Sequence, residues 1–464
     1  MKRISCFCIP AYGHMNPMLP VVSELINCGN HFRFYSFNEF REKVEGTGAE
    51  FISCDRFLPS LNSDQMSNIM KVSTTEMTIQ DIRTTRNMND FLADELLSFH
   101  PDVIYSDSVC FWGKLTAWKY QIPMVVSTST FAFNQLSSQY MKNSPREMAD
   151  MIFGLPRISR ELKSLEPYGY HVKSALTLVQ SDNETDSVVY TSRRFQPYAQ
   201  TFSGHYAFVG PSLFPSPQAR QETACAEKER PLVYISLGTV INDRPDFYEH
   251  CIEALGGPGL DVIISCGKYL DTDKLGDLPD TIQVSPTVNQ LEVLSRADVF
   301  ITHCGMNSVS ESLYSAVPMI LYPQTNEQHA VARRTVEVGA GLLLKDDSVE
   351  GIRRSVRSVL KDETYAKAAQ ECSRDFHACV GPSGAARFIE EAPHDSAGGT
   401  DVIKEMNHES AIWNTAYYAM FAVTMILAGA VFKASSWWMI GIVAGVGNQP
   451  FMRAVQRRFL QRNL

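Results

Sequence analysis

The chain has 464 residues, of which 44% are hydrophobic and 20% are charged. This balance is typical of a globular protein, and the length predicts more than one domain. The formal charge of −9 argues against nucleic acid as a partner, because nucleic-acid binding depends on a basic surface. The eleven cysteines show no metal-ligand spacing, so we expect mostly buried thiols in a reducing compartment and no metal site.

The first half of the chain alternates apolar strand patterns with amphipathic helix patterns. A helix is predicted at Pro17–Asn27, with Asn16 as its N-cap and Pro17 as its first residue. Strands are predicted at Arg3–Ile9, His31–Phe37, Asp102–Ser106 and Met124–Ser127. This alternation predicts a parallel α/β sheet, and we assign residues 1–212 to a first Rossmann-like domain.

The character of the chain changes at residues 213–230, which are rich in Pro, Ser and charge and predict a linker. The alternation then starts again and predicts a second Rossmann-like domain over residues 231–392. Its predicted strands are Leu232–Gly238, Asp261–Gly267, Thr281–Val284, Ala297–His303, Pro318–Tyr322 and Ala340–Leu344. The sequence therefore predicts an α/β protein whose two Rossmann-like domains face each other across a cleft.

The C-terminal part of the sequence has a different composition. After a flexible linker at residues 393–410, residues 411–452 carry one formal charge, Lys433, and the basic tail 453–464 has no acidic residue. An uncharged run of about 20 residues can span a bilayer, so we predict membrane association through one span or an apolar helical hairpin. A buried hairpin of a soluble domain is the alternative. Because the N-terminus enters a strand without an apolar signal core, we expect the folded domains to lie on the cytoplasmic side.

Two successive strand–loop–helix patterns between Ala297 and Gln328 place small and polar residues where a helix begins. The two loops are His303–Ser308 and Pro323–Gln328. A helix N-terminus has unpaired backbone N–H groups and about half a positive charge, so it suits a phosphate group. Both loops also contain the spacing of a capping box, at Ser308–Glu311 and at Thr325–Gln328. Capping is therefore the alternative to ligand binding at these positions.

Four motifs, in this order, resemble the GT-B glycosyltransferases that use nucleotide sugars. They are IPAYGHMNPMLPVVSEL, SDSVCFWGKL, PLVYISLGTV and the Ala297–Gln328 block, which VARRTVEVGAGLLL follows. The resemblance covers Ile4 to Ala386 and is to the macrolide-type branch related to the UDP-glucuronosyl and UDP-glucosyltransferases. It implies the GT-B fold, in which the first domain binds the acceptor and the second binds the nucleotide sugar. It implies neither a metal nor another cofactor.

The resemblance implies an inverting transfer of a hexose from a UDP-sugar to an acceptor hydroxyl group. The predicted membrane segment favours a hydrophobic acceptor, either a small molecule or a lipid. His14 would take the proton from that hydroxyl group, since a neutral imidazole suits proton transfer near pH 7. Asp107 would accept the other imidazole N–H and stabilise the imidazolium. A nucleotide-sugar epimerase of the same fold, and a membrane-tethered nucleotide-sugar-binding protein without transfer activity, are the alternatives.

The resemblance also assigns the donor site. The diphosphate group would lie against Ser236, Gly238, Thr239, His303, Gly305, Asn307 and Ser308. The sugar hydroxyls would meet Glu327 and Gln328, the ribose Glu311, and the base and ribose Val288 and Gln290. Two positions depart from the family's pattern: Cys304 stands where a glycine is usual, and Thr287 where an aromatic side chain would stack on the base. A TDP-sugar therefore stays open beside a UDP-sugar.

Overall fold

The computed structural model describes residues 1–57, 73–141, 145–172, 178, 183–214, 230–239, 242–267, 278–394, 404–412, 414–416, 420, 448, 451–459 and 461. The chain divides into two compact units. The larger unit comprises Met1–Pro197 and Tyr206–Asp395, and the smaller one comprises Tyr198–His205 and Ser396–Leu464. The larger unit contains two parallel sheets with helices between their strands, which confirms the predicted α/β class.

Among the described residues, seven parallel strands form the first sheet, in the order β3-β2-β1-β4-β5-β6-β7. They are β1 (Arg3–Phe7), β2 (His31–Ser36), β3 (Glu50–Ser53), β4 (Val103–Asp107), β5 (Met124–Thr128), β6 (Asp186–Val189) and β7 (Tyr206–Phe208). Strand β4 is buried along its whole length, as expected for a central strand of a sheet that is covered on both faces. Because all strands are parallel, their carboxyl ends meet at one edge, where the residues that follow β1, β4 and β5 come together.

The first half also contains six helices in its described part. They are α1 (Tyr12–Asn27), α2 (Arg41–Glu45), α3 (Thr74–Asn87), α4 (Asn89–Phe99), α5 (Phe111–Tyr120) and α6 (Pro145–Lys163). Short 3₁₀ turns occur at Asn38–Phe40, Asp55–Phe57, Ser137–Tyr140, Glu166–Tyr168 and Ala199–Thr201. One core of buried side chains extends between β1, β2, β4 and α1.

Helix α1 begins earlier than predicted. It starts at Tyr12 with Ala11 as its N-cap, so Asn16 is not the cap and Pro17 lies inside the helix. A proline inside a helix lacks the N–H that would bond to the carbonyl group four residues earlier. The carbonyl oxygen of Gly13 therefore has no helical partner. The prediction was wrong because Asn16-Pro17 fits two places equally well in the sequence: the start of a helix and a position one turn inside it.

In the part of the chain that the structure describes, six parallel strands form the second sheet, in the order β10-β9-β8-β11-β12-β13. They are β8 (Leu232–Ser236), β9 (Asp261–Ser265), β10 (Ile282–Ser285), β11 (Val299–Thr302), β12 (Met319–Leu321) and β13 (Gly341–Leu343). The helices are α7 (Pro245–Leu255), α8 (Gln290–Leu294), α9 (Met306–Tyr314), α10 (Asn326–Glu337), α11 (Val349–Lys361), α12 (Glu363–His377) and α13 (Gly381–Glu391). The two strand–loop–helix units predicted between Ala297 and Gln328 are β11 with α9 and β12 with α10.

The last helix of the larger unit returns to the first sheet. The apolar residues Ala385, Ala386 and Ile389 of α13 belong to the core that contains β1 and α1. The amide nitrogen of Asn30 donates to the Glu390 carboxylate at 2.6 Å and ties the same helix to the turn after α1. The predicted range 231–392 therefore ends in a helix that packs against α1, in the core of the first half. Sequence periodicity shows that this helix is amphipathic but does not show which sheet its apolar face covers.

The smaller unit contains helical residues 404–412 and 451–459. Most of the predicted membrane segment 411–452 lies outside the described residues, so the segment and its hairpin form remain predictions. Within the part of the chain that the structure describes, no helix has the length and apolar character needed to cross a membrane. The described cysteines are all free thiols, and most of them are buried, as the sequence predicted.

Candidate active site

His14 and Asp107 lie together at the carboxyl edge of the first sheet. His14 is in the first turn of α1, just after β1, and Asp107 is the last residue of β4. The Nδ1 atom of His14 is 2.8 Å from Oδ1 of Asp107, and the Asp107 side chain is fully buried. A carboxylate facing Nδ1 favours the tautomer that carries its proton there, which leaves the lone pair on Nε2. The other Asp107 oxygen, Oδ2, has no hydrogen-bond partner among the described residues.

Ser129 is a third member of this group that sequence reasoning missed. It follows β5, which pairs with β4, and its Oγ lies 3.1 Å from Nδ1 of His14. Ser129 is buried, so its hydroxyl group is held next to the imidazole rather than in solvent. The only signal in the sequence was its position at a strand end, which many serines share.

The charges around His14 determine its pKa. Burial by itself lowers the pKa of the imidazole, but the Asp107 carboxylate, by charge and by hydrogen bond, and the Glu327 carboxylate outweigh that effect. The result is a pKa raised above the ordinary value of a histidine. Glu327 belongs to the second half of the chain, at the start of α10. The electrostatic environment of His14 is therefore built from both sheets.

A cavity of about 300 Å³ opens beside His14. Much of its wall is apolar and comes from Trp118, Met124, Val126, Phe131, Phe133 and Met141. Its polar groups include Glu327 and Thr130. The hydroxyl group of Thr130 is buried and has no hydrogen-bond partner in the described part of the chain. A mostly apolar concave site with a few polar groups is typical of small-molecule binding.

In the second sheet, His303 lies between two of the predicted donor-site glycines. A Cβ atom on Gly238 would come within 2.5 Å of the imidazole ring, and one on Gly305 within 2.6 Å. Both glycines are therefore required for this ring to occupy its place. Burial lowers the pKa of His303 to about 4, so the imidazole is neutral at pH 7 and offers a hydrogen bond rather than a positive charge.

The turn after β8 is held by a residue that the sequence did not reveal. Asn242 is buried, and its Nδ2 donates to the carbonyl oxygen of Gly238 at 2.8 Å. The Ser236 hydroxyl accepts the N–H of Gly238 at 3.3 Å, while Thr239 is exposed at the end of the turn. Gly267 makes room for Asn242, because a Cβ atom there would lie 2.0 Å from its amide nitrogen. Asn242 lacked a recognisable pattern because it acts through a hydrogen bond to a backbone carbonyl group.

Helix α9 begins at Met306 with Gly305 as its N-cap, so the predicted capping box of Ser308 and Glu311 is wrong. The helix begins earlier than predicted because Gly305 provides the extended backbone of an N-cap, which places Ser308 inside the first turn. Instead, Nε2 of Gln290 donates to Glu311 at 2.7 Å and to the Ser308 hydroxyl at 3.3 Å. The side chains of both residues are thus free of capping and available to a ligand.

Gln290 organises this cluster at the start of α8. Its Oε1 accepts the hydroxyl of Tyr234 at 3.1 Å, and its amide nitrogen holds Glu311. Burial raises the pKa of the Glu311 carboxyl group to about 7, against the opposing effect of the Gln290 hydrogen bond. Val288, the other residue predicted for the base, is half-buried and packs against the second core. The predicted ribose-binding residues Gln290 and Glu311 are therefore in direct contact.

The capping box predicted at Thr325 and Gln328 is confirmed at the start of α10. The side-chain oxygen of Gln328 accepts the N–H groups of Gln324 at 2.8 Å and Thr325 at 3.1 Å. Only the amide nitrogen of Gln328 then remains for a ligand. Glu327, by contrast, faces the cavity that contains His14. The two residues predicted to hold the sugar thus differ in how much of each side chain is available.

Cys304 adopts the left-handed backbone conformation, with φ +68°, which explains why glycine is usual here. Its side chain is fully buried in the second core, with Sγ 3.5 Å from the carbonyl oxygen of Thr302. The thiol therefore points away from the loop, and the loop keeps its conformation at the cost of local backbone strain. Thr287 is exposed. Among the described residues, no group of three or more His, Cys, Asp or Glu side chains could hold a metal ion.

Residues 210–383 match the family model described as "UDP-glucoronosyl and UDP-glucosyl transferase". NDP-glycosyltransferase YjiC of Bacillus subtilis (strain 168) is 32% identical over 409 residues, which cover 86% of this chain and 99% of that protein. The oleandomycin glycosyltransferase of Streptomyces antibioticus is 26% identical over 407 residues, covering 84% of this chain and 90% of that protein. The crystal structure of the glycotransferase of kitacinnamycin matches with a TM-score of 0.70 at 25% identity, covering 84% of this chain and 98% of that chain. The two parallel sheets thus form a GT-B fold, and the chain belongs to the UDP-glucuronosyl and UDP-glucosyl transferase family as a nucleotide-sugar glycosyltransferase of natural-product type.

Proposed function

We propose that the chain transfers a hexose from a UDP-sugar to a hydroxyl group of a hydrophobic small-molecule or lipid acceptor, with inversion at the anomeric carbon. The observation that supports this most strongly is the 2.8 Å contact between His14 and Asp107 at the wall of an apolar cavity. With its proton on Nδ1, the ring presents the Nε2 lone pair to a ligand. A base whose pKa lies near the working pH is suited to remove a hydroxyl proton.

In the proposed step, Nε2 of His14 takes the proton of the acceptor hydroxyl while that oxygen attacks the anomeric carbon. The bond between the anomeric carbon and the diphosphate oxygen breaks, and the nucleoside diphosphate leaves with the electron pair. Attack from the face opposite the leaving group inverts the anomeric centre without a covalent enzyme intermediate. Asp107 stabilises the positive charge that forms on the imidazole.

Negative charge grows on the diphosphate as it leaves, and we assign its stabilisation to the loop between β11 and α9. His303 is neutral and donates a hydrogen bond, and the N-terminus of α9 adds its backbone N–H groups. Ser236, Gly238, Thr239, Gly305, Asn307 and Ser308 complete this cradle. Glu311 and Gln290 bind the ribose, and Glu327 and Gln328 bind the sugar.

The apolar wall of the cavity beside His14 supports a hydrophobic acceptor. Trp118, Phe131 and Phe133 give flat apolar surface, and Thr130 offers a buried hydroxyl group for a polar substituent. Two relatives are named for oleandomycin and kitacinnamycin, and these names support a natural-product acceptor for this chain as well. For the donor, the family description favours UDP, and TDP is the competitor to test.

The test is a transfer assay with UDP-glucose and TDP-glucose against a panel of phenols, sterols and macrolides. We expect transfer from UDP-glucose to at least one acceptor, and a loss of about 10²- to 10⁴-fold in the His14→Ala variant. Binding of UDP should be unchanged in that variant. The matched control is His31→Ala, which removes an exposed histidine on β2. Transfer that survives His14→Ala would contradict the base assignment, and UDP binding without transfer to any acceptor would support the non-catalytic alternative.

We also propose that residues 411–452 associate with a membrane on the cytoplasmic side. The support is that this stretch carries a single formal charge, Lys433, and that a basic tail follows it. The full chain should float with vesicles that contain anionic lipid, and a chain truncated before Ala411 should not. Equal flotation of both chains would contradict the proposal.

A further inference from the structure

The carbonyl group of Gly13 is a point of contact between the two halves of the chain. Pro17 cannot donate to this oxygen, because proline has no backbone N–H. Instead, Nδ2 of Asn307 donates to it at 3.0 Å. Gly13 immediately precedes His14, and Asn307 lies in the first turn of α9, in the predicted diphosphate loop. One hydrogen bond therefore joins the donor loop directly to the turn that carries the proposed base.

The chemistry of the amide group allows Asn307 to serve both sites. Its NH₂ group has two N–H donors. One donates to Gly13, and the other can donate to the diphosphate that we assign to this loop. A single side chain can then link the position of the bound donor to the position of His14.

The role of Gly13 in this contact depends on its carbonyl oxygen. A Cβ atom on Gly13 would meet nothing within 4 Å, so the close approach of the two halves does not require the absence of a side chain here. What the contact requires is an accepting oxygen that the helix itself does not use. The proline four residues later provides that, and its ring also pushes this carbonyl group away from the helix axis.

We propose that Asn307 is a positioning residue. Through its hydrogen bond to the carbonyl group of Gly13, it holds His14 at a fixed position relative to the loop His303–Ser308. This inference rests on the proposed role of His14 as the base. Without the contact, the same neighbours would still set the pKa of His14, but its Nε2 atom would sample positions away from the acceptor hydroxyl. Removing the contact should therefore lower kcat and leave the nucleotide affinity and the pKa of His14 unchanged.

The first test restores the missing N–H. In Pro17→Ala, the amide of residue 17 can bond to Gly13 within the helix and draw its carbonyl group away from Asn307. We expect kcat to fall about threefold to tenfold, with UDP affinity and the pH dependence of kcat unchanged. Thermal stability should be equal or higher, since a helix-interior proline is removed. The matched control is Pro20→Ala, which repairs the same helix three residues further on, at the carbonyl group of Asn16, and should leave kcat unchanged.

The second test is a double-mutant cycle with Asn307→Ala, which removes the donor. If Asn307 acts through Gly13, the Pro17 substitution should lower kcat no further in the Asn307→Ala background, because the contact is already lost. Independent effects on kcat in the double variant would overturn the proposal. So would a Pro17→Ala enzyme indistinguishable from Pro20→Ala. If either result occurs while His14→Ala still abolishes transfer, the positioning role fails and the proposed function stands.

Discussion

The two histidines of the candidate site lie in similar places and in opposite environments. Each follows a strand at the carboxyl edge of a parallel sheet, at or just before the start of a helix. His14 faces two carboxylates, Asp107 and Glu327, which raise its pKa above the ordinary value. His303 lies between two glycines, and burial lowers its pKa to about 4. The same fold position therefore produces a proton acceptor in one half and a neutral hydrogen-bond donor in the other.

The difference shows that the neighbours, and not the loop, decide the role of a histidine in this fold. Asp107 reaches His14 because β4 is the neighbour of β1 in the sheet. The corresponding space around His303 is filled by backbone, since Gly238 and Gly305 let the chain approach the ring. A base needs a charged partner, whereas a phosphate contact needs close approach of N–H groups.

The largest effect is expected when Asp107 is replaced by Asn. The amide can donate to Nδ1 of His14 and would move the imidazole proton to Nε2, which must be free to act as a base. We expect kcat/KM to fall on the order of 10³-fold, with UDP affinity unchanged. Steady-state kinetics and calorimetric titration with UDP measure the two quantities. The control is Asp102→Asn, an exposed carboxylate at the other end of the same strand, and a similar loss in both variants would contradict this account.

The next effect concerns the glycines around His303. In Gly305→Ala the new methyl group would lie 2.6 Å from the imidazole ring, which must then move. We expect UDP affinity to fall about tenfold to 100-fold, because the ring and the loop backbone no longer converge on the diphosphate. The pKa of His14 should not change, since its carboxylate neighbours remain. Gly257→Ala, where a Cβ atom meets nothing within 4 Å, is the control, and unchanged UDP binding in Gly305→Ala would remove His303 from the donor site.

The two histidines should affect acid stability with opposite signs. The folded pKa of His303 lies below its unfolded value, so the unfolded chain binds the proton more tightly and stability is lost as pH falls from about 6.5 to 4. In His303→Gln, the loss of stability between pH 7 and pH 5 should be smaller by roughly 2 kcal/mol. The pKa of His14 is raised, so His14 contributes stability that is present at low pH and lost as pH rises through the folded pKa. His14→Gln should therefore increase the loss on acidification.

Denaturant unfolding at the two pH values measures these changes in the free energy of unfolding. A His303→Gln variant with the same pH dependence as the wild type would show that His303 is not buried in its neutral form. Changes of the same sign in both variants would contradict the contrast between the two sites.

A smaller effect is expected at Glu327, the carboxylate that the second half contributes to His14. Because this charge raises the pKa of His14, Glu327→Gln should move the acid limb of the pH–rate profile to lower pH. The same variant loses the proposed contact between Glu327 and the sugar, so its KM for the donor should rise. A control is Glu292→Gln, on the exposed side of α8. An acid limb that stays in place would remove Glu327 from the environment of the base.

The smallest effect is expected at Cys304, which has the left-handed backbone of a glycine and a buried side chain. Cys304→Gly relieves strain but leaves a small cavity, so its free energy of unfolding should change by less than about 1 kcal/mol. Cys304→Val keeps apolar volume but places a β-branched residue at positive φ, and should destabilise by about 1–3 kcal/mol. Thermal unfolding distinguishes them. Equal stability of the two variants would show that backbone strain is not significant here.

The comparison also explains which parts of the molecule the sequence predicts. Strands such as β8 and β11 are predicted well, because a buried parallel strand is a short apolar run that ends at a turn. The donor loop is predicted because β11, the loop and α9 are contiguous in the chain. The start of α1 is missed because Pro17 is tolerated inside the helix. The alternative that Ser308 caps α9 fails for a similar local reason, because the helix begins two residues earlier, at Met306.

Contacts that depend on the arrangement of the sheets are less predictable. Ser129 meets His14 only because β5 pairs with β4. Helix α13 packs against α1 in the first half although it follows the second sheet along the chain. No sequence pattern predicts the role of Asn242, because this residue stabilises a turn through a backbone carbonyl group. Asn307 was assigned to the donor from its loop alone, and its bond to Gly13 required the two halves to be in place.

The most direct test of the central claim is a histidine-specific NMR titration of the full chain, with His14 and His303 assigned from their Gln variants. The account predicts that His14 titrates above about 6.5 and shifts downward in Asp107→Asn, while His303 stays neutral to about pH 4. A His14 signal that titrates below 6.5, or that does not respond to Asp107→Asn, would contradict the assignment of His14 as the base.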